Sequence, residues 1–176
     1  MFKKIIELKA EEVSINWNDK VLNSQEPWFL GLDSSTQSLK ATIIDSGFKI
    51  LYSGSVNFDQ DLPEYGTKGG VHRGFDGLTV TSPPGMWVKA LDLLLDKMHK
   101  AKVPLENIAA ISGSGQQHGS VYWGAGAQEI LNYLDTRMTM HEQLRDVFSV
   151  KNSPIWMDSS TTMQCRDLEK ALGGPQ

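Results

Sequence analysis

Apolar and polar positions change rhythm several times along the chain, and each change marks an element. WFLGLD, residues 28–33, is a short apolar run ending in an acid, the pattern of a buried strand. The polar turn SSTQS follows. LKATIID then alternates from 39 to 45, with Leu39, Ala41 and Ile43 on one face and Lys40, Thr42 and Ile44 on the other. Ser46-Gly47 makes a second tight turn, and FKILYSGSVNFD, residues 48–59, supplies a third strand. Three strands joined by short turns predict a meander. Residues 60–85 are rich in glycine, proline and charge and read as a long loop, of a length that compact domains keep for a functional reason. Residues 1–27 mix charges with apolar groups and lose their periodicity after Ile5 and Leu8. They read as a poorly ordered N-terminal extension.

Beyond the loop the period becomes helical. Pro84 suits the first turn of a helix, where its missing N–H costs nothing, and Trp87, Leu91, Leu94, Leu95 and Met98 form an apolar stripe. NIAAISGSG, residues 107–115, reads as a buried strand running into a glycine-rich turn, with QQHGSVYW (116–123) as its partner or bulged continuation. A weakly defined helical stretch covers about 125–148, and SPIWMDSS (153–160) is another short strand. Thr161-x-x-Gln164 has the form of a capping box, opening a helix through Cys165, Leu168 and Leu172 that stops at Gly173-Gly174. A meander followed by alternating helices and strands predicts an α/β domain with a mixed β-sheet flanked by helices. That order resembles the ribonuclease-H-like core of actin-like ATPases and sugar kinases.

Composition narrows the class without naming a function. The 176 residues are 40% hydrophobic and 22% charged, enough for one sizeable core. A formal charge of -4 gives no reason to expect nucleic acid or an anionic membrane as partner. With one cysteine, Cys165, no internal disulfide can form, and a reducing compartment fits. No apolar run reaches membrane-spanning length, and the first residues resemble neither a signal peptide nor a transit peptide, so a cytoplasmic location is expected.

Two segments could carry chemistry. Asp33 ends the first strand and is followed directly by Ser34-Ser35-Thr36-Gln37-Ser38. A carboxylate there could hold a hydrated Mg²⁺, and the turn's amides and hydroxyls could receive phosphate oxygens; equally, the aspartate could do no more than bond its own turn. In SGSGQQHGS (112–120), glycines surround Gln116, Gln117 and His118, whose amides and imidazole suit a polyhydroxylated ligand, or a loop satisfied by its own backbone. Trp156 could wall a sugar pocket or belong to the core, and Asp158 could cap the following helix. His72 and Arg73 fall in the long loop and could line the same cleft, though exposure is the expectation for them, while His99 and His141 carry no site signal. Zinc-site spacing, a P-loop and a dinucleotide fingerprint are all absent from the sequence.

Together these segments resemble one family, the FGGY carbohydrate kinases. LGLDSSTQSLKATIID is similar to the family's first phosphate segment, and DLPEYGTKGGVHR, DGLTVTSP, ISGSGQQHGSVYW and WMDSSTTMQCRDLE resemble the eukaryotic-type xylulose kinases, from about residue 28 to the end. The resemblance implies transfer of the ATP γ-phosphoryl group to D-xylulose, giving D-xylulose 5-phosphate, in a cleft between two ribonuclease-H-like domains. It implies ATP and Mg²⁺ as cofactors, Asp33 at the metal, and Thr36, Gln37, Ser38 and Lys40 facing the nucleotide phosphates. It places Gln117 and His118 on the sugar, with Trp156 as a pocket wall. The family's general base and its adenosine-binding segments are expected beyond residue 176. Residues 28–176 are therefore expected to be an incomplete first domain lacking its second domain, inactive alone, whose partner could be the missing C-terminal domain or a full-length kinase. The alternatives are a non-catalytic pentulose-binding module and a regulatory module derived from a sugar kinase.

Overall fold

The computed structural model describes residues 27–174. The expected extension, up to residue 26, lies outside them. The meander is present as β1 (Trp28–Ser34), β2 (Ser38–Ile44) and β3 (Ile50–Asn57). Both β1–β2 and β2–β3 are antiparallel. The third strand is shorter than its sequence pattern. Asn57 caps a single helical turn, α1 (Phe58–Asp61), by accepting the Gln60 N–H, so residues 58–59 leave the sheet. Asx capping competes with the ladder at that point and wins.

The alternation in β2 is realised in burial: Leu39, Ala41 and Ile43 are buried and Lys40 is exposed. Their buried face packs against α2 (Pro84–Lys100), which begins with Pro84 in its first turn as predicted. The helix buries Met86, Ala90, Leu94, Leu95 and Met98, whereas Trp87 and Leu91 from the predicted stripe are only half-buried at the edge of the core. Leu30, Val56, Phe58 and Leu62 complete this core.

After a 3₁₀ turn at Leu105–Asn107, β6 (Ile108–Gly115) joins the sheet beside β1 and parallel to it, giving the order β3-β2-β1-β6. A mixed sheet was expected. The buried strand expected over 107–115 is instead an edge, with β6 exposed from Ala110 to Gly115. Its apolar residues encode a covered strand, but among the described residues nothing pairs with its outer side.

The long loop holds structure that composition hid. A 3₁₀ turn at Pro63–Tyr65 leads into β4 (His72–Arg73) and β5 (Val80–Ser82). β5 pairs antiparallel with β4 on one side and with β7 (Ser153–Pro154) on the other, in a second sheet of order β4-β5-β7. Its small core is Val71, Val80 and Ile155. Strands of two or three residues are too short to show a period, so only long-range pairing reveals them. For the same reason SPIWMDSS is a strand for two residues and loop thereafter. QQHGSVYW forms no strand, contributing one isolated bridge, Trp123 to Phe148.

The weakly helical stretch resolves into α3 (Ala127–Asn132) and α4 (Met140–Gln143). A capping box does occur, at Thr139 and Glu142. At α5 (Thr162–Ala171) Thr161 makes no side-chain cap, so the box expected there is absent. That helix ends at Gly173 and Gly174, both with positive φ. No helix of the described residues is long and apolar enough to cross a membrane.

Candidate functional site

The site lies where the parallel strands β1 and β6 end side by side. Ser34 pairs with Leu39 on one flank and with Gly115 on the other, so the turn at Ser35–Gln37 and the chain after Gly115 leave the sheet from the same end. Gln116 N–H donates to Ser34 O (2.9 Å), extending that ladder by one bond. In open α/β sheets, ligands bind in the crevice outside the carboxyl ends of such strands, because the diverging chains leave a gap there.

A cavity of about 400 Å³ opens there, lined by Asp33, Ser35, Thr36, Gly115, Gln116, Gln117, His118 and Trp156. Three segments far apart in sequence thus meet in one place. Asp33 Oδ1 accepts from Ser114 Oγ (3.2 Å). Trp156 Nε1–H donates to Thr36 Oγ1 (3.1 Å), and Thr36 Oγ1 in turn donates to Gln116 Oε1 (3.5 Å). The pairing of β5 with β7 carries Trp156 to this position, where it is 54% exposed and forms a wall. The core reading of Trp156 is thereby overturned.

His118 has φ 55°, a left-handed backbone that side chains other than glycine pay for in steric strain. The neighbouring bonds hold it there, with Gln116 fixed to Ser34 and Ser120 N–H donating to Pro154 O (3.2 Å). Strain of this kind concentrates at sites that need one particular side-chain direction.

The expected nucleotide-side residues divide. Thr36 lines the cavity. Lys40 lines an adjoining depression of about 380 Å³, on the β1–β2–β6 surface with Thr42, Ser112 and Ser114, and Asp33 stands on the border of both. Gln37 and Ser38 line neither. Gln37 is exposed and its carbonyl accepts the Phe58 N–H (3.0 Å), while the Ser38 hydroxyl lies 3.3 Å from Ser35 Oγ.

Other expectations resolve outside the cavity. Asp158 does not cap α5; Oδ1 accepts the Val80 N–H (2.8 Å) and Oδ2 the Ser160 hydroxyl (2.7 Å), pinning the second sheet. Burial pushes its carboxyl up, but the Ser160 and Val80 donors outweigh that and hold it below the ordinary value. His72 is half-buried with Nε2 2.8 Å from Tyr65 O, and Arg73 is exposed. His141 Nε2 meets the Tyr65 hydroxyl (2.8 Å), whose ionisation burial and nearby Glu64 push up to about 12.

Behind the turn stand residues that no sequence pattern marks. Asp59 accepts from Thr67 Oγ1 (2.7 Å), Gly69 N–H and Gly70 N–H (3.0 Å), and Gly70 presses on the Thr36 carbonyl. An acid eight to eleven residues ahead of T-x-G-G carries no recognised signal, so only the contacts disclose it.

No family model matches the chain. Curated proteins do. Over 148 residues it is 54% identical to xylulose kinase 2 of Arabidopsis thaliana, a match covering 83% of this chain and 26% of that protein. It is 54% identical over 147 residues to the xylulose kinase of Rattus norvegicus, covering 84% and 27%. The chain is a homologue of the eukaryotic xylulose kinases. It spans about a quarter of the length of the curated relatives it matches. Against the xylulose kinase of Saccharomyces cerevisiae the identity is 41% over 179 residues, covering 100% of this chain and 28% of that one.

Solved structures agree on the fold. A "xyloylose kinase" from Brucella ovis superposes with a TM-score of 0.59 at 20% identity, over 82% of this chain and 24% of that one. A gluconate kinase from Lactobacillus acidophilus gives 0.55 at 18%, over 84% and 23%. The described residues share the fold of these sugar kinase structures, a mixed sheet flanked by helices.

Proposed function

We propose that these residues form one wall of a phosphoryl-transfer cleft in which the γ-phosphoryl group of MgATP passes to D-xylulose. One observation carries the reading: Asp33, Thr36, Gln117, His118 and Trp156, drawn from three separate segments, line a single cavity. Phosphoryl transfer asks the protein mainly for positioning and charge neutralisation, and this wall offers groups for both.

Asp33 is the acid of the site and suits Mg²⁺. Its Oδ1 takes the Ser114 hydroxyl, and Oδ2 has no hydrogen-bond partner among the described residues. No group of three His, Cys, Asp or Glu residues lies close enough to form a metal cage among the described residues. One carboxylate plus water is the donor set Mg²⁺ commonly takes when phosphates complete its shell. When bound, that ion would neutralise phosphate charge.

Gln117 and His118 bind and orient sugar hydroxyls, and Trp156 offers a flat apolar face to the C–H side of the ligand. Lys40, in the adjoining depression, adds positive charge toward the nucleotide. Gln37 and Ser38 remain candidates through their backbone amides.

Asp33 is the single carboxylate among the lining residues; with Asp33 at the metal, the His118 imidazole is the other lining group able to take a proton from a sugar hydroxyl. A single wall of a cleft is expected to bind its ligands weakly, in a cytoplasmic setting. A small sugar touching one wall gains little, and its affinity is expected to be weaker than roughly millimolar.

The test is a titration of the isotope-labelled chain with MgADP and with D-xylulose, read on backbone amides. MgADP is expected to shift Ser34–Ser38, and Asp33→Asn to remove the Mg²⁺ dependence. D-xylulose is expected to shift Gln117 to Gly119, with His118→Ala abolishing it. Shifts confined to other surfaces would reject this reading.

A further inference from the structure

The turn that rims the cavity is short and polar, and its own bonds, Ser35 N–H (3.0 Å) and Ser35 Oγ (3.1 Å) to Ser38 O, close it only at its base. Two strand ends fix its base, but its outer side, Thr36 and Gln37, rests on another segment. That segment is Thr67–Gly70. Gly70 has φ 76°, and a Cβ built on it would fall 2.0 Å from Thr36 O and 3.1 Å from Gln37 Cα. The loop backbone therefore lies in direct contact with the turn backbone, closer than any side chain would permit.

The loop is gripped from two directions. Asp59 accepts Gly70 N–H, Gly69 N–H and Thr67 Oγ1, and the buried Ser82 hydroxyl donates to Gly70 O (2.8 Å). Asp59 is itself well anchored. It lies in α1 immediately after Phe58, which is fully buried and whose N–H donates to Gln37 O (3.0 Å). One short helical turn thus holds the cavity's rim twice, directly through Phe58 N–H and indirectly through the Asp59 carboxylate.

We infer that Asp59 is a positioning residue for this site: its carboxylate holds the Thr67–Gly70 loop, and the loop holds the Ser35–Gln37 turn at the rim of the cavity. Charge-assisted bonds to amide donors are among the stronger hydrogen bonds, so this grip is firm enough to set a position. Its meaning for nucleotide phosphates rests on the function proposed above; the mechanical claim does not.

Amide hydrogen exchange on the whole 176-residue chain tests it. Ser35 N–H, bonded to Ser38 O, and Phe58 N–H, bonded to Gln37 O, report the turn; Leu94 and Leu95 report the core. In Asp59→Asn, which keeps the size but loses an acceptor, both turn amides are expected to exchange at least about tenfold faster while the core amides are unchanged. Ser82→Ala, which releases Gly70 from the other side, is expected to act on the same two amides and serves if Asp59→Asn fails to fold. Turn amides that do not respond, or that speed up only in step with Leu94 and Leu95, overturn the inference. Magnesium pyrophosphate is the probe for the phosphate reading, and its affinity is expected to fall about tenfold in Asp59→Asn. A wild-type chain that ignores the probe removes the phosphate reading and leaves the exchange result to decide on Asp59.

Discussion

Gly70→Ala isolates the contact between the loop and the turn. Two effects oppose the new methyl group. The left-handed φ of 76° costs a residue with a Cβ roughly 1–2 kcal/mol. The methyl must also displace the Thr36 carbonyl, which stands 2.0 Å from its ideal position, and forced movement of packed backbone adds roughly 1–3 kcal/mol. The expected loss is about 2–5 kcal/mol. Gly66→Ala is the internal control. Its φ of 63° carries the same backbone term, but nothing lies within 4 Å of the added carbon, so it is expected to lose only about 1–2 kcal/mol. The gain from a less flexible unfolded chain is common to both variants and cancels in the comparison. Urea denaturation of the two proteins measures the difference, provided their m values agree. Equal losses would refute the view that Gly70 is a contact between loop and turn and leave it only a residue of special φ.

Three further outcomes follow from the site. His118→Gly relieves a left-handed backbone worth roughly 1–2 kcal/mol and gives back about 0.5–1 through a looser unfolded chain, so the variant is expected to be as stable as the parent or slightly more so. A loss beyond about 1 kcal/mol on denaturation would mean the imidazole is held for folding rather than for a ligand. Trp156→Phe removes the donor to Thr36 Oγ1 from a half-exposed ring and is expected to cost less than about 1 kcal/mol, whereas a core tryptophan would cost several. Acid is expected to destabilise the site's supports together. Burial raises the Asp59 and Asp158 carboxyls, but their donors prevail and both lie below the ordinary 3.8. A lowered native value contributes stability that is complete above the unfolded value and is lost as pH falls through the native one. Urea midpoints should therefore hold down to about pH 4 and drop below it, and Asp59→Asn should blunt that drop.

Periodicity alone determined the parts of this protein whose signal is local. The alternation of Leu39, Ala41 and Ile43 announced β2, and Pro84 announced the start of α2, because burial on one face writes itself into residue spacing. Asp33 at a strand tip and the glycine-flanked Gln117-His118 pair were visible for a similar reason: their chemistry sits in contiguous residues. Tertiary structure decided whatever depends on distance. The second sheet consists of strands too short to carry a period and exists only because β5 finds β7 some seventy residues later. That pairing takes Trp156 out of the core and sets its indole against Thr36. Exposure of β6 follows from its place at the edge, which its apolar composition could not reveal. The Asp59 grip on Gly69 and Gly70 needs three segments to meet, and a single chain read in order has no term for that.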